Sequence, residues 1–170
     1  VENLGTNILL LRRRIKSPQL KVKFFTLGKI TNTKVSMVYI DNLANKELIE
    51  EVERRITSID VDQLLSIGEV EEYIEDNPYS PFPQMLSTER PDRAVSYLTE
   101  GKIVLIVDGS PIILIVPITF FAFYQAPDDY NSRWLVGSFF RFIRFFSFII
   151  SISLPAIYIA IVSFNSEVLP

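Results

Sequence analysis

Cysteine and histidine are both absent from this chain of 170 residues. Without cysteine there is no disulfide framework and no thiol nucleophile, and without histidine there is no Ser-His-Asp triad. The absence of both residue types also removes the usual ligands of a zinc site. The sequence contains neither a Walker phosphate loop nor the glycine pattern of a dinucleotide-binding turn. It therefore predicts no catalytic residue, no metal site and no cofactor.

Basic residues are fewer than acidic residues, and the formal net charge is −3. An acidic excess argues against a nucleic-acid partner, because neutralising phosphates requires a basic face. One basic run alternates with apolar residues at helical spacing, which predicts the solvated face of a helix. Contact with anionic lipid head groups is the alternative interpretation of this run. Its members are Arg12, Arg13, Arg14, Lys16, Lys21 and Lys23.

A long apolar run without charge occupies residues 145–164. At about 1.5 Å of rise per residue, a helix of this length spans roughly 30 Å, the thickness of the hydrocarbon core of a bilayer. A buried core helix is the alternative, but a domain of this size rarely buries a helix that is apolar on every face. The run therefore predicts a transmembrane helix. Pro155 removes a backbone hydrogen bond near its centre and predicts a kink, and Tyr158 lies on the same segment.

Arginines crowd the N-terminal side of this helix, whereas residues 165–170 contain no Lys or Arg. By the positive-inside rule, Arg133, Arg141 and Arg144 place residues 1–144 on the cytoplasmic side. Residues 165–170 then form an extracytoplasmic stub. Trp134 opens an amphipathic stretch, which predicts an interfacial helix over residues 127–144.

Residues 1–126 are predicted to form a cytosolic α/β domain with a mixed sheet. Proline, glycine and the capping residue Asn45 mark the ends of its elements, and β-branched and aromatic residues mark its strands. A re-entrant membrane hairpin over residues 103–124 is the alternative to the last two strands, but Asp108 would lie at mid-depth. The predicted elements are helices over 3–16, from Asn45, over 61–66, 69–74 and 91–100, strands Leu20–Leu27, Thr33–Ile40, Ile103–Val107 and 112–116, and a proline-rich loop over 77–90.

Short motifs in a particular order connect this chain to a known family. The sequence resembles the A subunit of spore germinant receptors, in the GerA-type spore germination protein family, and the resemblance covers nearly the whole chain. The motifs that carry it are Glu2-Asn3-Leu4, Asn7-Ile8-Leu9-Leu10-Leu11-Arg12-Arg13-Arg14-Ile15, Ser80-Pro81-Phe82-Pro83-Gln84, Thr88-Glu89-Arg90-Pro91-Asp92, Glu100-Gly101-Lys102, Val107-Asp108-Gly109-Ser110-Pro111, Pro127-Asp128-Asp129-Tyr130 and Leu154-Pro155-Ala156-Ile157-Tyr158.

The resemblance implies a protein of the spore inner membrane that is longer at both ends than this chain. It implies assembly with B and C subunits, a homo-oligomer, and a complex that detects a small-molecule nutrient and triggers ion release and germination. No catalytic or ligand-binding residue is carried over from the family. For Glu89, Arg90 and Asp92 the interpretation is a charge network that holds the proline-rich loop to the following helix, and contact with a ligand is the alternative.

Two other functions remain open at this stage. The chain could be a tail-anchored adaptor that acts only as a tether. It could also be a membrane-bound enzyme that uses carboxylates, although nothing in their spacing supports this.

Overall fold

The computed structural model describes residues 3–77, 79–80, 83–119, 122 and 134–164. It contains two compact units, Val1–Thr119 and Phe120–Pro170. The predicted domain limit at residue 126 lies outside the described residues. The elements are α1 (Leu4–Arg14), β1 (Leu20–Leu27), β2 (Thr33–Ile40), α2 (Lys46–Ser58), α3 (Ile67–Ile74), β3 (Leu86–Thr88), α4 (Pro91–Thr99), β4 (Ile103–Val107), β5 (Ile113–Val116) and α5 (Trp134–Phe164).

The five strands of the first unit form one sheet in the order β1-β2-β4-β5-β3. The predicted combination of helices and sheet is confirmed. The sheet itself was expected to be mixed, but every strand pair in the described residues is antiparallel. The reason is that β1–β2 and β4–β5 are hairpins, and the helical connection from β2 returns the chain beside β2 in the opposite direction.

Helices cover both faces of the sheet. On one face, Met37 and Leu105 belong to a buried cluster with Val52 and Ile56 of α2 and with residues of α3. The other face receives α4 and α1, and Leu98 of α4 is fully buried there. Because the central strands are covered on both sides, β4 and β5 are buried along their whole length, which explains their unbroken apolar sequences. The candidate functional site lies at the ends and margins of this three-layer core.

Several predicted elements are confirmed, and two predictions were wrong. β1 and β2 have the predicted bounds, and Asn45 caps α2 by accepting the Glu47 N–H at 3.0 Å. Residues 61–66 are not helical. Their carbonyls instead accept hydrogen bonds from the β1–β2 loop, from Lys29 N to Val61 O at 3.0 Å and from Ile30 N to Asp62 O at 2.8 Å. The proline-rich loop contains the short strand β3, which the sequence did not predict.

The second unit contains one continuous helix, α5, of 31 residues. It is long and apolar enough to cross a membrane. From Trp134 onward, the predicted interfacial segment and the predicted span lie on this single helix, without a break between Arg144 and Phe145. Residues 127–133, including Arg133, lie outside the described residues. The alternative of a re-entrant membrane hairpin over 103–124 is wrong for Ile103–Val107 and Ile113–Val116, because these residues form β4 and β5 of the sheet.

Candidate functional site

The motif from Thr88 to Asp92 joins the end of β3 to the start of α4. Thr88 is buried, and its Oγ1 accepts the N–H of Arg90 at 3.2 Å. Pro91 takes the first position of α4, where its missing N–H has no cost, and Asp92 lies in the first turn. The motif is therefore a tight strand-to-helix connection.

Arg90 pairs with Asp92 in this connection. Its Nη2 and Nε donate to the two carboxylate oxygens of Asp92 at 2.8 and 3.3 Å. The guanidinium of Arg90 holds the pKa of Asp92 below its usual value. Since the folded-state pKa is depressed, this pair stabilises the fold above the ordinary pKa of a carboxyl group and is lost on acidification through the folded-state value.

The hypothesis of a network through Glu89 needs correction. Glu89 is exposed and forms no ion pair with the described residues, whereas Asp92 forms an ion pair with Arg90. Both side chains of the pair are open to solvent, at 49% and 39% of their full exposure. Solvent screening leaves such pairs a contribution of about 0–1 kcal/mol. The Arg90–Asp92 pair is therefore a surface feature.

Gln84 and Met85 also anchor the proline-rich loop. The side-chain oxygen of Gln84 accepts the N–H of Asp76 at 2.9 Å, and its backbone carbonyl accepts the N–H of Ile118 at 3.0 Å. Met85 is buried in the core cluster. Of the family-motif residues in this loop, Pro81 and Phe82 lie outside the described residues, and Pro83 is exposed. The role of Gln84 was missed because its partners are distant in sequence.

Asp108 and Gly109 form the turn of the β4–β5 hairpin. Gly109 has φ of 84°, a conformation that favours glycine. The Oδ1 of Asp108 accepts the N–H of Leu4 at 3.0 Å, and Asn3 accepts the N–H of Thr6 at 3.1 Å. Asp108 is thus a turn residue, and it also caps α1 from a distant part of the chain.

Replacing Asp108 by Ala is expected to destabilise the first unit by about 1 kcal/mol, because the N–H of Leu4 loses its acceptor. The free energy of unfolding, measured by urea titration of the chain in nanodiscs, tests this. Asp108→Asn is the matched control, since its amide oxygen still accepts the hydrogen bond. Equal losses for both variants would contradict a capping role.

A cleft of about 620 Å³ opens beside α1 and is here called the α1 cleft. It lies between this helix and the β1–β2 hairpin, close to the Asp108 turn. No motif of the sequence indicated it, because four elements or turns contribute to its wall. Its lining residues are Asn3, Leu4, Gly5, Ile8, Arg12, Phe24, Lys34 and Asp108.

Several polar residues of α5 and Pro155 share one side of that helix, although Ser153 lies on the opposite side. At about 100° of rotation per residue, Arg141, Arg144, Ser151, Pro155 and Tyr158 fall within an arc of about 100°. Pro155 has no N–H to donate to the carbonyl of Ser151, which lies on the same side. The described residues therefore place four of the predicted membrane residues on one face.

Trp134 is the first residue of α5 and is exposed. Among the described residues there is no group of three or more His, Cys, Asp or Glu side chains arranged to hold a metal ion.

Comparisons with known proteins agree on one family. The model of the Bacillus/Clostridium GerA spore germination protein matches residues 1–170. Spore germination protein B1 of Bacillus subtilis (strain 168) is 46% identical over the whole chain, which covers 35% of that protein. Spore germination protein GerLA of Bacillus cereus is 40% identical over 99% of the chain and 34% of its own length. The chain thus spans about a third of the length of these relatives.

A solved structure supports the same assignment. The crystal structure of the N-terminal domain of the A subunit of the Bacillus megaterium spore germinant receptor GerK3 is similar to this chain, with a TM-score of 0.57 and 42% sequence identity. The match covers 71% of this chain and 95% of the solved one. The resemblance inferred from the motifs is confirmed, and the chain belongs to the family of GerA spore germination proteins.

Proposed function

We propose that this chain is part of the A subunit of a nutrient germinant receptor in the spore inner membrane. In this role it assembles with B and C subunits and with further copies of itself, and the complex couples detection of a small-molecule nutrient to ion release. The observation that carries the proposal is the 42% identity to the A-subunit domain of a germinant receptor. The role is non-enzymatic and requires no catalytic residue.

The polar face of α5 supports assembly with other membrane segments. Lipid tails cannot satisfy the carbonyl freed at Pro155, whereas a neighbouring helix or a water-filled path can. Apolar residues such as Ile149 and Leu154 are exposed elsewhere on the helix and suit lipid. The arrangement favours a helix that contacts protein on one side, as a subunit of a complex would.

The proposed orientation places the first unit on the cytoplasmic side, which in a spore is the core. It rests on Arg133, Arg141 and Arg144, which precede the most apolar part of the segment. We expect Arg141→Glu combined with Arg144→Glu to lower the fraction of correctly oriented chains, because the charge bias that retains this flank is reversed. A compartment-sensitive reporter fused after Pro170 measures that fraction.

The matched control for orientation is Arg13→Glu combined with Arg14→Glu, which makes the same charge change on α1. This control is expected to leave the reporter signal unchanged. A cytoplasmic reporter signal from the unaltered, membrane-embedded chain would contradict the proposed orientation.

Co-purification tests the proposed partners. The complete protein, carrying an affinity tag, is expected to be recovered from the spore inner-membrane fraction together with B and C subunits and with an untagged copy of itself. Recovery from that fraction without the other subunits would contradict assembly, and recovery from another membrane would contradict the localisation.

A further inference from the structure

We propose that the α1 cleft binds a small anion that carries an apolar or aromatic group. The volume of about 620 Å³ lies in the range of small-molecule sites, and the wall combines apolar side chains with a few charged ones. This site goes beyond the receptor role, and its existence does not depend on that role. Its test uses binding alone.

Two cations of the cleft are available to a ligand. Arg12 and Lys34 are both exposed, and they come from α1 and β2. Neither forms an ion pair with any residue in the described ranges, whereas Lys23, Lys29 and Arg55 all pair with acidic neighbours. A carboxylate or phosphate held by a guanidinium and an ammonium together gains charge-assisted hydrogen bonds.

The apolar part of the ligand has a matching surface. Phe24 lines the cleft from β1 and remains 62% exposed, although the central strands of the same sheet are fully covered. Leu4 and Ile8 of α1 are buried and contribute to the opposite wall. A planar or aliphatic group of the ligand, placed between Phe24 and the side chains of Leu4 and Ile8, shields the Phe24 ring from water. The ring then contacts a ring or methylene groups of the ligand.

Asp108 limits where the anionic group can lie. One of its carboxylate oxygens already accepts the N–H of Leu4 at 3.0 Å, so the start of α1 holds a negative charge from the protein itself. A second anion at this point would be repelled. The anionic group is therefore assigned to Arg12 and Lys34, and the helix start is not the binding element.

Equilibrium dialysis of the full chain in uncharged nanodiscs tests the site, with empty nanodiscs as the blank. The probes are phenylphosphate, benzoate, inorganic phosphate and neutral benzyl alcohol. We expect saturable binding of phenylphosphate or benzoate, weaker binding of inorganic phosphate and no saturable binding of benzyl alcohol. A response to only one aromatic anion identifies the anionic group as phosphate or carboxylate. The absence of saturable binding for both would overturn the proposal.

Substitutions locate the binding within the cleft. Arg12→Gln and Lys34→Met are each expected to weaken binding by about tenfold or more, because a charge-assisted hydrogen bond is lost. Arg13→Gln is the matched control, since Arg13 is exposed on the same helix but does not line the cleft. Phe24→Ser should abolish the preference for phenylphosphate over inorganic phosphate.

Circular dichroism must first show that each variant keeps its fold. Among folded variants, equal weakening by Arg12→Gln and Arg13→Gln would overturn the site, because it would indicate unspecific attraction to the basic helix. A preference for phenylphosphate that survives Phe24→Ser would overturn the aromatic contact.

Discussion

Leu154→Arg is expected to prevent stable membrane insertion of most chains. Leu154 lies near the centre of the segment 145–164 and is exposed on α5. An arginine at the centre of a transmembrane helix costs about 2.5–3.5 kcal/mol on insertion scales, while the lost leucine contributes a further few tenths. This corresponds to roughly a hundred- to a thousandfold shift in the insertion equilibrium. The measurement is the fraction of chain that resists alkaline extraction from membranes.

Leu135→Arg provides the control for that substitution. Leu135 is equally exposed but lies in the first turn of α5, where a long side chain can reach the interface. Its insertion should remain close to that of the unaltered chain. If both variants insert equally well, α5 is not embedded through residues 145–164.

Gly101→Ala is expected to destabilise the first unit by roughly 2–4 kcal/mol. Gly101 follows the end of α4 with φ of 82°, and its N–H and that of Lys102 donate to Leu98 and Tyr97 at 3.1 and 3.0 Å. This is a helix ending that requires a left-handed residue. A Cβ at this position would also stand 2.6 Å from the carbonyl oxygen of Leu43, so the backbone would have to move.

Gly109→Ala separates the two causes of this loss. Gly109 has a similar φ of 84°, but a Cβ there would meet nothing within 4 Å. It should lose only the conformational part, about 1–2 kcal/mol. Urea titration followed by circular dichroism compares the variants. Equal losses would show that the contact with Leu43 has no energetic role.

Local sequence signals were enough to predict the elements whose ends are marked by residues within or next to them. Thr33–Ile40 and its hairpin partner were predicted because they are rich in β-branched and aromatic residues and flank a loop that begins with glycine. Pro91 marked the start of α4. Residues 61–66 were wrongly predicted to be helical, and β3 was not predicted, because neighbours distant in sequence decide the conformation of both segments. The first pairs with the β1–β2 loop, and the second is a short edge strand on β5.

The candidate site was less predictable than the fold. The motif Thr88-Glu89-Arg90-Pro91-Asp92 indicated a charge interaction, but the sequence alone does not show whether Arg90 bonds to Glu89 or Asp92. In the structure, the guanidinium of Arg90 donates to the carboxylate of Asp92. The cap of α1 by Asp108 joins residues 104 positions apart, and the α1 cleft combines four parts of the chain. Such contacts follow from the sheet order, which no local pattern contains.

Nutrient-triggered ion release from spores that lack the gene for the complete protein tests the proposed receptor role most directly. Spores of the parent strain, of the deletion strain and of a complemented strain should be exposed to single nutrients while ion release is recorded. The account predicts that deletion abolishes or strongly slows release for at least one nutrient, and that complementation restores it. Unchanged release across a broad panel, in a strain without another receptor of this family, would contradict it.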